Sequence, residues 1–184
     1  MKTLKLMILA CALTITNCSS LNIVDPTKEI PPQIPPEKSI FFLKVNINAP
    51  ERIRLVTIRY FDILNSEISG HTLELLGSDN ANDPNTLSGC FLFTGKKTVY
   101  SLNEVEILTA TKIGKFRLSD KKSWFVTSDG SKNPIFAGTL SFVGNKLEIL
   151  DSGFKECKDE LSKKYPKIDL TNSEELLRKK DKTK

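Results

Sequence analysis

IFAGTLSFVGNKLEIL, residues 135–150, is the stretch whose reading decides the fold. Gly144-Asn145 is a two-residue hairpin turn of the Gly-first type, and it joins an apolar run, Ile135 to Val143, to a second one, Lys146 to Leu150. A turn that short can only connect neighbouring antiparallel strands. Moving toward the amino terminus, Phe41, Leu43, Val45 and Ile47 alternate with Phe42, Lys44, Asn46 and Asn48. Period two predicts a strand with the first set buried and the second toward solvent. Similar runs stand at Ile53 to Tyr60, Thr72 to Leu76, Cys90 to Phe93, Val105 to Thr109, Ile113 to Leu118 and Trp124 to Thr127. Ala49-Pro50 and Ser128-Asp129-Gly130-Ser131 punctuate them. Many short strands at this spacing predict a mainly β chain, an antiparallel β-sandwich or small barrel. No helix longer than about three turns is visible before residue 150, which argues against βαβ and nucleotide-binding architectures.

Beyond the hairpin, Phe154, Cys157, Leu161 and Tyr165 recur at helical spacing and predict a short helix stopped by Pro166. Thr171 and Glu174 have capping-box spacing before Leu176 and Leu177, so a second short helix or a frayed tail is expected there. The closing RKKDKTK is expected to be disordered.

The chain has 184 residues, 39% hydrophobic and 27% charged, enough for one domain with extensions and a core of its own. Collagen, coiled coil and wholesale disorder are excluded by that composition. His71 is the one histidine, which rules out any mechanism that needs two.

The amino terminus reads as a secretory signal: Lys2 and Lys5, then the apolar run LMILACALTI from Leu6 to Ile15. It is too short to span a bilayer, which takes roughly 20 apolar residues. Cys18 follows, and the segment Ile15-Thr16-Asn17-Cys18 resembles the lipobox of bacterial lipoproteins, closest to the relaxed form of spirochaetal ones. Ile15, Thr16 and Asn17 stand where Leu, a small residue and Gly or Ala are usual. The resemblance implies cleavage before Cys18, a diacylglyceryl group on its thiol and a further acyl chain, typically palmitate, on its new amino group. Each buried methylene contributes about 0.8 kcal/mol, so two or three chains anchor durably. Ser19 suggests delivery to the outer membrane by the enterobacterial sorting rule. The alternative is a secreted protein in which Cys18 is incidental. Residues 19–39 hold Pro26, Pro31, Pro32, Pro35 and Pro36 and read as a polyproline spacer, about 60 Å long if extended. A docking peptide for an SH3-like groove is the rival reading of PPQIPP. The expected organisation is thus signal peptide 1–17, lipidated tether 18–39, β-sandwich with helix 40–165, and basic tail 166–184.

The segment from Ile135 to Tyr165 resembles the ending of small β-sandwich lipoproteins grouped as domains of unknown function, and Val99-Tyr100-Ser101-Leu102-Asn103-Glu104 resembles their strand-to-turn segment. The resemblance implies a transthyretin-like or immunoglobulin-like sandwich and brings no catalytic residues with it.

Cys90 and Cys157 remain after loss of the signal and lipidation of Cys18. In an oxidising compartment they would form a disulfide closing a loop of about 68 residues, a contribution of roughly 4 kcal/mol; two separate buried thiols are the alternative. Gly77 to Asn85 (GSDNANDPN) is rich in oxygen ligands but lacks the calcium-loop spacing and reads as an exposed loop. His71, near Asp62, Glu67 and Ser69, would form a triad only with a serine such as Ser88 or Ser101, and no nucleophile elbow is present. Trp124-Phe125 with Lys121, Lys122 and Lys132 is either a ligand patch or core.

Without residues 1–17 the chain has 25 basic and 22 acidic residues; the excess lies in Lys155 to Lys184, with ten basic and seven acidic. Nucleic acid is not an expected partner. The expectation is a lipid-anchored, non-enzymatic binding or structural module of the bacterial cell envelope, at the outer membrane, without cofactor or metal. Its partners would be the bilayer through acylated Cys18 and an envelope protein or host surface ligand. An adhesin for host glycan or matrix ligands, and an envelope hydrolase, are the alternatives.

Overall fold

In the computed structural model, residues 22–23, 37–62, 70–77, 83–117, 122–127, 133–175 and 177–181 are described. They form β1 (Asn22–Ile23), β2 (Lys38–Asn48), β3 (Ile53–Asp62), β4 (Gly70–Leu76), β5 (Thr86–Lys96), β6 (Val99–Thr109), β7 (Ile113–Arg117), β8 (Lys122–Thr127), β9 (Ile135–Val143), β10 (Lys146–Leu150), α1 (Phe154–Lys164), β11 (Glu174–Glu175) and β12 (Leu177–Asp181). Two six-stranded sheets result. One has the order β1-β5-β2-β9-β10 with β11 also on β9; the other has β12-β8-β6-β3-β4 with β7 also on β6. Neighbours are antiparallel except β2 with β9 and β11 with β9. The signal segment and Cys18 lie outside the described residues.

A shared core lies between the sheets: Phe41, Val45 and Ile47 of β2, with Leu140 and Phe142 of β9, meet Val56, Ile58, Leu73, Leu75, Val105 and Ile107 of the other sheet. A second core covers the opposite face of the first sheet, where Ile40, Phe42, Leu92 and Phe136 pack against Cys157, Leu161, Tyr165, Ile168 and Leu170. The first sheet is therefore buried on both faces where α1 and the chain after it cover it, from Ile40 to Leu43 of β2, while Asn46 and Asn48 farther along keep the solvent-facing alternation. This corrects one expectation. Phe42, read as solvent-facing, is 0% exposed and lies 5.3 Å from Phe136 and 5.9 Å from Phe154 between ring centroids. A strand covered on both sides has no polar face to alternate.

Three bulges reset the alternation, the first at Arg54 of β3, between the Ile53–Thr109 and Leu55–Leu108 pairs, so that Ile53 and Val56 share the core face. In β9, Ala137 and Gly138 together oppose Leu43, because Phe42 pairs with Phe136 and Lys44 with Thr139. Gly138 takes φ 97°, and Ala137 and Leu140 consequently reach the same core. In β6, Arg59 pairs with Glu104 and Tyr60 with Leu102, leaving Asn103 as the extra residue. Tyr100 and Leu102 before it, and Val105 and Ile107 after it, all face the core. Val99–Glu104 is thus continuous strand with a bulge, where the family resemblance implied a turn. The β9–β10 turn also differs from expectation. Gly144 has φ 58° and Asn145 φ 65°, and two positive values define the type I′ turn, not the Gly-first form.

Helix α1 starts at Gly153, whose φ of 92° and close approach both exclude a side chain: a Cβ would stand 2.8 Å from Thr139 Oγ1. Thr139 donates to the Ser152 carbonyl at 2.5 Å, and Lys44 pairs with Glu156, so the helix amino end is fastened to β9 and β2. Glu156 in the first turn and Lys163 and Lys164 in the last oppose the helix dipole favourably. The Tyr165 amide still donates to Leu161 at 2.7 Å before Pro166 ends the helix.

The chain after Pro166 departs most from expectation. Ile168 and Leu170 are buried in the second core, Glu174–Glu175 pairs with Ile135–Phe136 of β9, and Leu177–Asp181 pairs with β8. Among the described residues no second helix forms: a short helix would satisfy few of its own backbone groups, whereas β9 beyond β10 and the free edge of β8 supply ready partners. The tether expectation also gives way in part. Asn22–Ile23 is strand on β5, and Lys38 and Ser39 open β2.

Candidate functional site

Three chain segments converge at one end of the two sheets. They are Ala49-Pro50-Glu51 leaving β2, the β6–β7 turn with its flanks Ile107 to Phe116, and the β9–β10 turn near Phe142 and Asn145. Between them is an open cleft of about 270 Å³, mostly apolar, near the lower limit of small-ligand sites. Ile107 and Phe142 form its floor as members of the inter-sheet core. Phe116 packs against Phe142 with ring centroids 4.3 Å apart at 49°. Gly114 makes that placement possible, since a Cβ there would stand 2.7 Å from the Phe116 ring. Ile113 at the rim is 62% exposed although large and apolar.

The polar wall is Glu51. Its Oε2 accepts from Thr111 Oγ1 at 2.6 Å, Thr109 Oγ1 at 2.9 Å and the Thr111 amide at 3.3 Å. Those donors, the Thr111 hydroxyl foremost, hold the carboxyl below its usual range, with Lys112 adding a smaller pull. The loop behind is pinned: Ala49 donates to Asn85 at 3.0 Å and Ile53 to Pro84 at 3.0 Å. The cleft is therefore a shaped apolar mouth with one fixed anion, suited to holding an apolar group that carries a hydrogen-bond donor.

The other candidates fall elsewhere. Cys90 on β5 and Cys157 on α1 are joined as a disulfide, Cα to Cα 5.4 Å, inside the second core. Beside the bond, the Cys90 amide donates to Glu160 Oε1 at 3.1 Å. Ser88 lies in the first sheet, and His71 and Ser101 in the other. His71 pairs with Tyr60 and Ser101 with the next residue, Phe61, across opposite sides of β3, about 10 Å apart at ordinary strand spacing. No triad is assembled from these positions. Of the oxygen-rich loop, Gly77 and residues 83–85 are described, and the carbonyls of Asp83, Pro84 and Asn85 accept backbone bonds. Trp124, Phe125 and Lys122 lie in β8, opposite Lys179, Arg178 and Asp181 of β12. Glu67, Ser69, Lys121 and Lys132 lie outside the described residues. Among the described residues no group of His, Cys, Asp and Glu could hold a metal ion, and no helix is long and apolar enough to cross a membrane.

The charges of the second sheet form a ladder. Glu104, 7% exposed, lies between Arg117 Nε at 3.1 Å and Arg59 Nε at 3.6 Å, and Glu106 between Lys115 at 3.3 Å and Arg59 at 3.4 Å. The partly exposed pairs of Glu106 contribute little singly, whereas the buried Glu104 carboxylate depends on its two guanidinium partners. They account for body carboxylates that would otherwise suggest a site.

No protein family, curated protein or solved structure matches the chain. The cleft has only a weak sequence signature, because its walls come from residues 49–51, 107–116 and 142–145. Its one local sign is Ile113-Gly114, a large apolar residue beside a turn with no burial to explain it.

Proposed function

We propose that the chain is a lipid-anchored lipoprotein of the bacterial cell envelope, of the spirochaete-like type, whose β body is a non-enzymatic binding module. The observation that carries this reading is Cys18 placed where the apolar run Leu6 to Ile15 ends. The Cys90–Cys157 disulfide supports it, since such bonds persist in oxidising compartments outside the cytosol. The cleft between Glu51, Ile113 and Phe116 is the binding surface, and its apolar character fits a hydrophobic ligand group. A sandwich of transthyretin-like type accompanies the proposal. The first long strand, β2, lies inside its sheet between β5 and β9, whereas the immunoglobulin constant order places the first strand at an edge.

Intact mass of membrane-extracted protein tests the anchor: acyl mass on a chain beginning at Cys18 is expected, and an unmodified chain overturns it. An apolar fluorophore tests the cleft. Ile113→Ser removes an exposed side chain, so stability changes by less than about 0.5 kcal/mol. Probe fluorescence should fall several-fold; unchanged fluorescence would remove the cleft from the reading.

A further inference from the structure

β1 pairs antiparallel with β5, Asn22 opposite Thr94 and Ile23 opposite Phe93. Going back along β1 therefore leads past Gly95 and Lys96 toward the β5–β6 turn at Lys97-Thr98. Cys18 precedes Asn22 by four residues. Four residues span at most about 14 Å, whatever their path. The end of the body within that reach carries Lys38 and Lys96, directly opposite each other in the β2–β5 register, and Lys97, whose amide donates to the Glu37 carbonyl at 2.9 Å. Residues 37–38 and 96–98 thus hold three lysines and one carboxylate, Glu37, at the corner next to β1, while Glu174 and Glu175 stand across β9 from that corner and Asp62 in the other sheet opposite Tyr100.

The cleft is at the other end. β2 runs eleven residues from Lys38 to Asn48, about 33 Å along the strand, and Ala49–Glu51 then forms the cleft wall.

Building on the lipid-anchored reading, we propose that the Lys38, Lys96 and Lys97 end seats on anionic headgroups of the bilayer that holds Cys18. The body then stands upright, with the cleft about 35 Å from the headgroups and turned away from them. The occupant of the basic end is that bilayer: the chain between Cys18 and β1 is too short to let this end move far from it, and the charges are complementary. The proline-rich segment then starts and finishes at the same end of one sheet, between Ile23 of β1 and Lys38 of β2, and does not set the height of the body.

The test uses full-length lipidated protein whose acyl mass has been verified, inserted into preformed vesicles of phosphatidylcholine and phosphatidylglycerol. An amine-reactive, membrane-impermeant reagent is applied, and each lysine is quantified by mass spectrometry. Lys38, Lys96 and Lys97 should label several-fold less in vesicles than in detergent, while Lys112 and Lys146 near the cleft label equally in both. In the N22P/I23P variant, which removes ladder donors from β1 and returns the span from Cys18 to Lys38 to some twenty residues, the protection should disappear with the acyl mass retained. The K38E/K96E variant should lose the protection of the remaining Lys97 as well, by charge. Equal labelling at both ends of the acylated protein overturns the orientation and leaves the anchor standing. Absence of the acyl mass overturns both, and the mass measurement tells the two failures apart.

Discussion

Reduction of the Cys90–Cys157 bond should lower stability by about 4 kcal/mol. The two residues are 67 apart, so the bond closes most of the body into one loop, and the chain-entropy relation for a loop of that length gives this figure at room temperature. Reduction is a cleaner perturbation than substitution. Both cysteines are buried among Phe42, Leu92, Phe136 and Leu161, and opening the bond removes no packing atoms, so no cavity cost is mixed in. The Lys44–Glu156 pair and the Cys90 amide bond to Glu160 persist, so α1 stays docked in the folded state. For a body of this size, with a urea slope of about 2 kcal/mol/M, the midpoint should fall by about 2 M in reductant, and the slope should rise as the unfolded chain opens. Against a typical total of about 5–15 kcal/mol, that is a large share. The assay is urea unfolding with and without reductant, with thiol titration of the unfolded protein as control. A midpoint moving by less than about 0.5 M, in protein whose bond the titration proves intact, would refute the entropic reasoning.

Gly77→Ala should cost more than about 2 kcal/mol in the same assay, because its Cβ would stand 1.9 Å from the Ile53 carbonyl oxygen, whereas Gly144→Asn should fall within about 0.5 kcal/mol of the parent, since a type I′ turn accepts Asn and the space is open. Thr111→Val should raise the Glu51 titration seen by NMR toward the ordinary carboxylate range. The Glu51 pKa is depressed in the folded state, so its contribution is present above the unfolded value and lost as pH falls through the folded one; the parent should lose this stability on acidification and the variant should lose less. Ser39→Ala should leave stability unchanged or raise it by about 1 kcal/mol, because the buried Ser39 hydroxyl has no hydrogen-bond partner among the described residues; a drop of that size in thermal melts would show that the hydroxyl is bonded.

The strand pattern was legible wherever one face met the core and the other met water. Val56 and Ile58 alternating with Thr57 and Arg59 read correctly, because the second sheet has a solvated outer face bearing the Glu104–Glu106 ladder. Phe42 misled because α1, more than a hundred residues later, covers the face it was assigned to water. Asn103 and Ala137-Gly138 misled differently: one extra residue shifts every later side chain to the other face, and local sequence does not mark where it sits. Thr171 and Glu174 have a cap's spacing, yet the free edge of β9 decides their fate, and edges exist only once a sheet does. The cleft was illegible for the same reason, since turns far apart in sequence meet only at the end of assembled strands.

The parallel pairing of β2 with β9 has a temporal consequence. Phe41 meets Ile135 and Ile47 meets Phe142, so the centre of the first sheet joins segments about 95 residues apart. As the ribosome releases the chain from its amino end, β2 lacks one of its two neighbours until three-quarters of the chain has been made. Pairings this distant close slowly, on millisecond to second timescales. Under the proposed export reading, the chain would thus be threaded while its central seam is still open, and would zip shut only on the far side.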